Sequence, residues 1–119
     1  MIGLFLYFKG GKEMFKSKEN RYIARGVKEQ VPKETQLYCW QLIDKKVEEA
    51  EINLDYLQIF ELNPDNQRQA IEVIHRQEEP FFIDYHTYTI KGKMLDFQIK
   101  KLWVIDDRSH QTMLLPEDY

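Results

Sequence analysis

The chain has a single cysteine, Cys39, among 119 residues, and one cysteine makes neither an internal disulfide nor a cysteine-based zinc site. It has no apolar run near the eighteen or so residues that a membrane helix requires. Concentrated positive charge is also missing, since 17 Lys and Arg stand against 20 Asp and Glu, a net charge of −3. A protein whose main work is neutralising phosphates needs the opposite balance. Glycine and proline are sparse, at five and four, and no low-complexity tract, linker or internal repeat interrupts the chain. G-x-G-x-x-G, G-x-x-x-x-G-K-[ST], H-E-x-x-H and G-x-S-x-G are all absent, so nucleotide, zinc-protease and serine-hydrolase readings lose their cheapest support. Nothing calls for a cofactor.

What is present is the material for one packed domain. Hydrophobic residues make up 43% of the chain, with seven Phe, seven Tyr and two Trp, and the 31% charged residues are well mixed. The cysteine usage fits a reducing compartment. The apolar start at residues 2–8 has no charge before it and Lys9 after it, the reverse of a secretory signal. A cytoplasmic protein without membrane association is the expectation.

The chain order reads as strand, helix, then strands. Residues 21–27 are a short β-leaning run closed by Gly26. Pro32 suits the first helical position, because its fixed φ is helical and its missing N–H is not needed there. From 33 to 50, Leu37, Trp40, Ile43, Val47 and Ala50 recur at helical spacing and predict one buried stripe. Cys39 lies beside that stripe as an inert small hydrophobe.

Runs at 55–62 and 67–77 predict a hairpin closed by Asn63-Pro64-Asp65-Asn66. In that register Glu61 faces Arg68, Phe60 faces Gln69 and Tyr56 faces Val73. Both hairpin faces are apolar: Tyr56, Phe60, Leu62, Ile71 and Val73 on one, Leu57, Ile59, Ala70 and Ile74 on the other. A second hairpin turning at Lys91-Gly92 puts Tyr88, Ile90, Leu95, Phe97 and Ile99 on its apolar face, with Tyr85, Thr87 and Thr89 on the wet one. Residues 94–106 as one strand would span roughly 43 Å at about 3.3 Å per residue, too long for a domain of this size, so a bend at Lys100-Lys101 is expected. The sum is an α+β domain: one main helix at 33–50 packed on an antiparallel sheet of five or six strands, strongly bent or partly barrel-like. One helix cannot cover both faces of such a sheet, so either the sheet curls on itself or a second copy covers it, which favours a homodimer.

Three groupings invite chemistry. Asp106, Asp107 and His110 share one turn and could hold a divalent metal or serve acid–base catalysis, although turns favour Asp and Ser in any case. His75 and Glu79 precede Pro80, where a strand passing into an acidic loop is the simpler reading. His86, beside Tyr88, reads as a core histidine. Around residues 78–82, Glu78, Glu79, Phe81 and Phe82, together with the C-terminal Tyr119, form a candidate partner-binding surface. The early cations Lys9, Lys12, Lys16, Lys18, Arg21, Arg25, Lys28 and Lys33 read as a solvated face rather than a nucleic-acid footprint.

RGV at 25–27, the Val-Pro opening a helix with Leu37, Trp40 and Leu42-Ile43-Asp44, DYLQIFEL at 55–62, QEEP at 77–80, WVIDD at 103–107 and MLLPEDY at 113–119 resemble, in that order, a family of small Gram-positive bacterial proteins. It is catalogued as domain of unknown function 960. The resemblance covers roughly residues 14–119 and implies a cytosolic single domain, with no activity or catalytic residues to transfer.

The sequence therefore favours a non-enzymatic, self-associating protein-interaction module, acting on a second copy or an unidentified protein partner. A metal-assisted enzyme using Asp106, Asp107 and His110 is the alternative, and weak nucleic-acid binding through the early basic residues comes third. Residues 1–13 are expected to be a non-native extension ahead of a 14–119 domain. Lys9-Gly10-Gly11-Lys12-Glu13-Met14 back-translates to AAA GGA GGT AAA GAA ATG, which holds AGGAGG just before a start codon. If residues 2–8 are ordered, an exposed sheet edge is where they should lie.

Overall fold

In the computed structural model, which describes residues 13–89 and 99–119, the chain runs β1 (Arg21–Ile23), α1 (Arg25–Gln30), α2 (Lys33–Glu49), β2 (Leu57–Asp65), β3 (Ala70–Glu78), β4 (Phe81–Thr89), β5 (Lys101–Asp106) and β6 (Gln111–Leu114). It closes on a 3-10 turn at Pro116–Asp118. The strands lie in the order β1-β6-β5-β2-β3-β4 in one open sheet. All neighbours are antiparallel except β1 and β6, which run parallel with Tyr22 beside Thr112. The expectation of a partly barrel-like, antiparallel sheet is thus corrected on two counts: the described strands do not close into a barrel, and the outer β1–β6 pair is parallel. That pair joins residues about ninety apart in sequence, beyond the reach of hairpin rules.

The β-leaning run at 21–27 ends as a strand at Ile23, and Gly26 sits inside α1. A Cβ there would come within 2.9 Å of the Leu115 side chain and would also meet the Asp118 carboxylate, so glycine lets these two side chains lie against α1 without shifting. Pro32 is the N-cap of α2 rather than its first helical residue, and Ala50, at φ 53, ends the helix with its N–H on the Lys46 carbonyl.

The core-facing side of α2 is Cys39, Trp40 and Ile43, flanked by Gln36 and Leu42, whereas Leu37 is 51% exposed. The expected stripe is therefore rotated: Leu37 and Ala50 leave it, and Cys39 enters. Cys39, Trp40 and Ile43 pack with Phe60, Leu62, Ile71, Val73, Leu102, Val104 and Met113 from the sheet and with Phe15 and Val27. Burying each large side chain of this kind contributes about 1.5–3 kcal/mol.

The β2–β3 register differs from the expected one. Asp65 pairs with Ala70, Leu62 with Val73 and Glu61 with Ile74, so Pro64 lies within β2 and the turn falls at residues 66–69. There Asp65 Oδ1 accepts the amides of Gln67 and Arg68, and Gln69 takes φ 51. Pro64 lies past the Glu61–Lys101 pair, the last described pair of the β2–β5 ladder. Glu61 still meets an arginine, but it is Arg76, at 3.5 Å.

Residues 78–82 are not a loop. β3 runs to Glu78, β4 starts at Phe81, and the Glu79–Pro80 peptide in the two-residue turn is cis. β4 pairs with β3 along its whole length. The Lys91-Gly92 turn, Ile90, Leu95 and Phe97, and the placement of residues 2–8 lie outside the described residues. Among the described residues, no helix is long and apolar enough to cross a membrane.

Candidate functional site

Asp106, Asp107 and His110 do share the turn between β5 and β6, and backbone amides engage the oxygens of the two aspartates. Asp106 is largely buried. Its Oδ2 accepts the Phe15 amide at 2.7 Å and its Oδ1 the Arg108 amide at 2.7 Å. Asp107 Oδ1 accepts the amides of Ser109 and His110 at 2.9 and 2.7 Å, which holds its carboxyl below the usual carboxylate range. His110 Nδ1 is 3.8 Å from that oxygen, and its ring meets Tyr22 edge-on at 5.1 Å. Among the described residues, no three His, Cys, Asp or Glu side chains gather as a metal-holding group.

The residues around the β3–β4 turn divide by face. Alternation along β4 turns Phe82, Asp84, His86 and Tyr88 towards α2: Lys46 pairs with Asp84 at 2.6 Å and caps the Phe82 ring at 4.4 Å. Tyr38 stacks on Tyr88 at 4.6 Å, and the Tyr88 hydroxyl bonds with Thr35. Phe81, Ile83, Tyr85, Thr87 and Thr89 point the other way, and none is charged. Phe81 and Tyr85 are each 64% exposed.

Register extends this outer face across the sheet. Trp103 lies beside Ile59, Ile59 beside Arg76 and Arg76 beside Ile83, one row over four strands, with the Ile74–Tyr85 pair next to it. Tyr119, 78% exposed, sets its ring 5.7 Å from Trp103. Glu78 and Glu79 are exposed at the turn. Ile83 and Trp103 were missed as members of this surface, although strict alternation through 81–89 carries the signal.

Behind the β3–β4 turn is a buried polar chain that residue spacing did not reveal. His75 Nε2 and Gln58 Oε1 lie 2.7 Å apart. Gln58 Nε2 donates to Gln77 Oε1 at 2.7 Å and to the Asp55 carbonyl. Gln77 Nε2 in turn donates to the carbonyls of Asn53 and Pro80. His75 is fully buried, stacked 4.4 Å from Phe60 and edge-on to Phe82. Burial, then the Lys46 charge, push its pKa down to about 3, with Asp84 opposing. Among the described residues, its Nδ1 has no hydrogen-bond partner. The chain ties the 53–55 segment and the Pro80 turn to the sheet, and it is an element of structure.

The described early cations are distributed rather than clustered. Arg21 makes a two-pronged pair with Asp44 at 3.2 and 2.5 Å and lies 4.5 Å over Trp40. Lys16 pairs with Glu13 and Arg25 with Glu29. Cys39 is fully buried, and burial raises its thiol pKa.

These features define a small α+β domain whose described residues form a mixed six-stranded sheet with α2 packed on one face. The family model described as "Staphylococcal protein of unknown function (DUF960)" matches residues 20–118, and the chain belongs to that family. A crystal structure of a protein of unknown function from Enterococcus faecalis is similar at a TM-score of 0.69 and 22% identity, covering 87% of this chain and 93% of that one. At that identity the likeness concerns the fold alone. No curated protein matches the sequence.

Proposed function

We propose that the protein is a non-enzymatic, self-associating interaction module of the cytoplasm, that residues 14–119 form its working unit, and that two copies meet through the sheet face opposite α2. The observation that carries this reading is the uncharged outer row of β4. The row exposing Phe81, Ile83 and Tyr85 carries no charged side chain, and exposed apolar patches of this kind mark contact surfaces. Aromatic side chains held on a rigid strand are effective anchors, because little side-chain freedom is lost when they are covered. Phe81 and Tyr85 are the anchors, Tyr119 and Trp103 extend the contact, and Glu78 and Glu79 form its rim. Phe82 faces α2 and serves the fold.

Size-exclusion chromatography with light scattering over a concentration series tests this. The wild-type chain is expected at dimer mass, and Phe81→Glu with Tyr85→Glu at monomer mass with unchanged circular dichroism. A wild-type monomer at every concentration overturns the reading; an unidentified protein at the same face would then be sought by pull-down.

A further inference from the structure

Between the segment at 13–20 and the β5–β6 turn lies a cleft of about 190 Å³, lined by Lys16, Ser17, Asn20, Arg108, Ser109 and His110 together with the carboxylates of Glu13 and Asp106. Pockets for drug-sized ligands run to about 300–1,000 Å³, so this one suits a single small group and is too small for a nucleotide.

Two carboxylates and two cations line it, and they differ in which of them already have partners. Both Asp106 oxygens already accept backbone amides, and Glu13 pairs with Lys16 at 2.7 Å. Among the described residues, the Arg108 guanidinium makes no ion pair and no hydrogen bond, and neither does the Asn20 side-chain amide or the Ser109 hydroxyl. Asp106 is engaged by backbone and Glu13 by Lys16, whereas the Arg108 guanidinium and the neutral donors of the cleft keep their hydrogen-bonding capacity.

The backbone there is held rather than loose. Arg108 sits at φ 80, a region where glycine is at ease and a long side chain is unusual. Three amide-to-carboxylate bonds fix the turn, from Arg108, Ser109 and His110. A cation in an unfavourable conformation on a tied turn beside a cleft is a reason to ask what the cation is for.

The geometry points to this cleft as a binding site for a small phosphate-type oxyanion. Arg108 is its principal ligand, and Asn20, Ser109 and Lys16 are supporting donors. The guanidinium fork matches two oxygens of such an anion at once, and the hydroxyl and amide supply neutral donors for the others. An arriving anion competes with Glu13 for Lys16, a contest between exposed groups that is easily won.

The test is titration of the full chain with inorganic phosphate, followed by ¹H–¹⁵N NMR at constant ionic strength. Saturable shifts confined to residues 16–20 and 106–111 are expected, with acetate binding at least fivefold more weakly. Arg108→Gly removes the cation at a position whose φ glycine accepts, so the fold persists, and phosphate affinity should fall at least tenfold. Asn20→Ala should lower it severalfold. Shifts that grow linearly, that sodium chloride reproduces, or that survive Arg108→Gly overturn the site, and acetate binding as tightly as phosphate overturns the assignment of ligand class.

Discussion

The backbone N–H of Phe15 donates to Asp106 Oδ2 at 2.7 Å, a hydrogen bond that spans 91 residues of sequence. Phe15 takes φ 66 to make it, and its ring is buried in the core. One largely buried carboxylate therefore locks the segment ahead of β1 to the turn after β5. The Gln111 amide reinforces the lock by donating to the Asn20 carbonyl.

Asp106→Ala leaves two amides without their acceptor and is expected to lower unfolding free energy by about 2–4 kcal/mol in a urea titration. Hydrogen exchange at the Phe15 amide should accelerate well beyond that global change. A chain started at Met14, the first described residue packed on the core, should keep the wild-type urea midpoint, whereas Phe15→Ala should cost about 3–5 kcal/mol.

Acid should destabilise the protein through His75. Its ordinary pKa of about 6.5 falls to about 3 in the fold, so the unfolded chain binds the proton more readily across that window. Stability is complete above pH 6.5 and declines as pH falls towards 3, by about 4 kcal/mol over the whole interval. His86, lowered in the same direction by burial, adds to the slope. In His75→Leu the urea midpoint starts lower, because Gln58 Oε1 loses its partner, but it should vary much less between pH 6.5 and 4.

The helix correction has a direct check. Leu37→Ala, at an exposed position, should alter unfolding free energy by no more than about 0.5 kcal/mol. Ile43→Ala, fully buried, should cost about 2–5 kcal/mol. Equal effects would restore the original stripe.

Cys39 should be silent to thiol reagents in the native state, since it is fully buried and its thiolate is disfavoured. Labelling kinetics in urea should track global unfolding, and rapid labelling in buffer would contradict its placement.

Much of the sheet was legible because alternation is a local property. The β2–β3 register was misplaced, yet the face assignments held, with Phe60, Leu62, Ile71 and Val73 inward and Leu57, Ile59 and Ile74 outward. The observed pairing differs from the expected one by an even number of residues, and an even slip leaves every side chain on its own face. The error came from Pro64, a residue that commonly marks turns but here lies within β2, opposite Ile71. Leu37 was misassigned because helical spacing admits two adjacent stripes, and only the direction from which the sheet approaches selects Cys39 over Leu37. Of the turn at 106–110, its position was readable and its electrostatics were not.

Composition, alternation and the order of short motifs were enough to determine an α+β domain, the place of its helix and the family to which it belongs, because each is set by neighbours within a few residues. The parallel β1–β6 edge, the capture of Phe15 by Asp106 and the His75–Gln58–Gln77 chain were decided only by tertiary structure. So was the engagement of the Asp106 and Asp107 oxygens by backbone amides at the β5–β6 turn. The first three depend on groups far apart in sequence meeting at hydrogen-bonding distance, where the identity of the partner, and not the residue type, fixes what a side chain can still do.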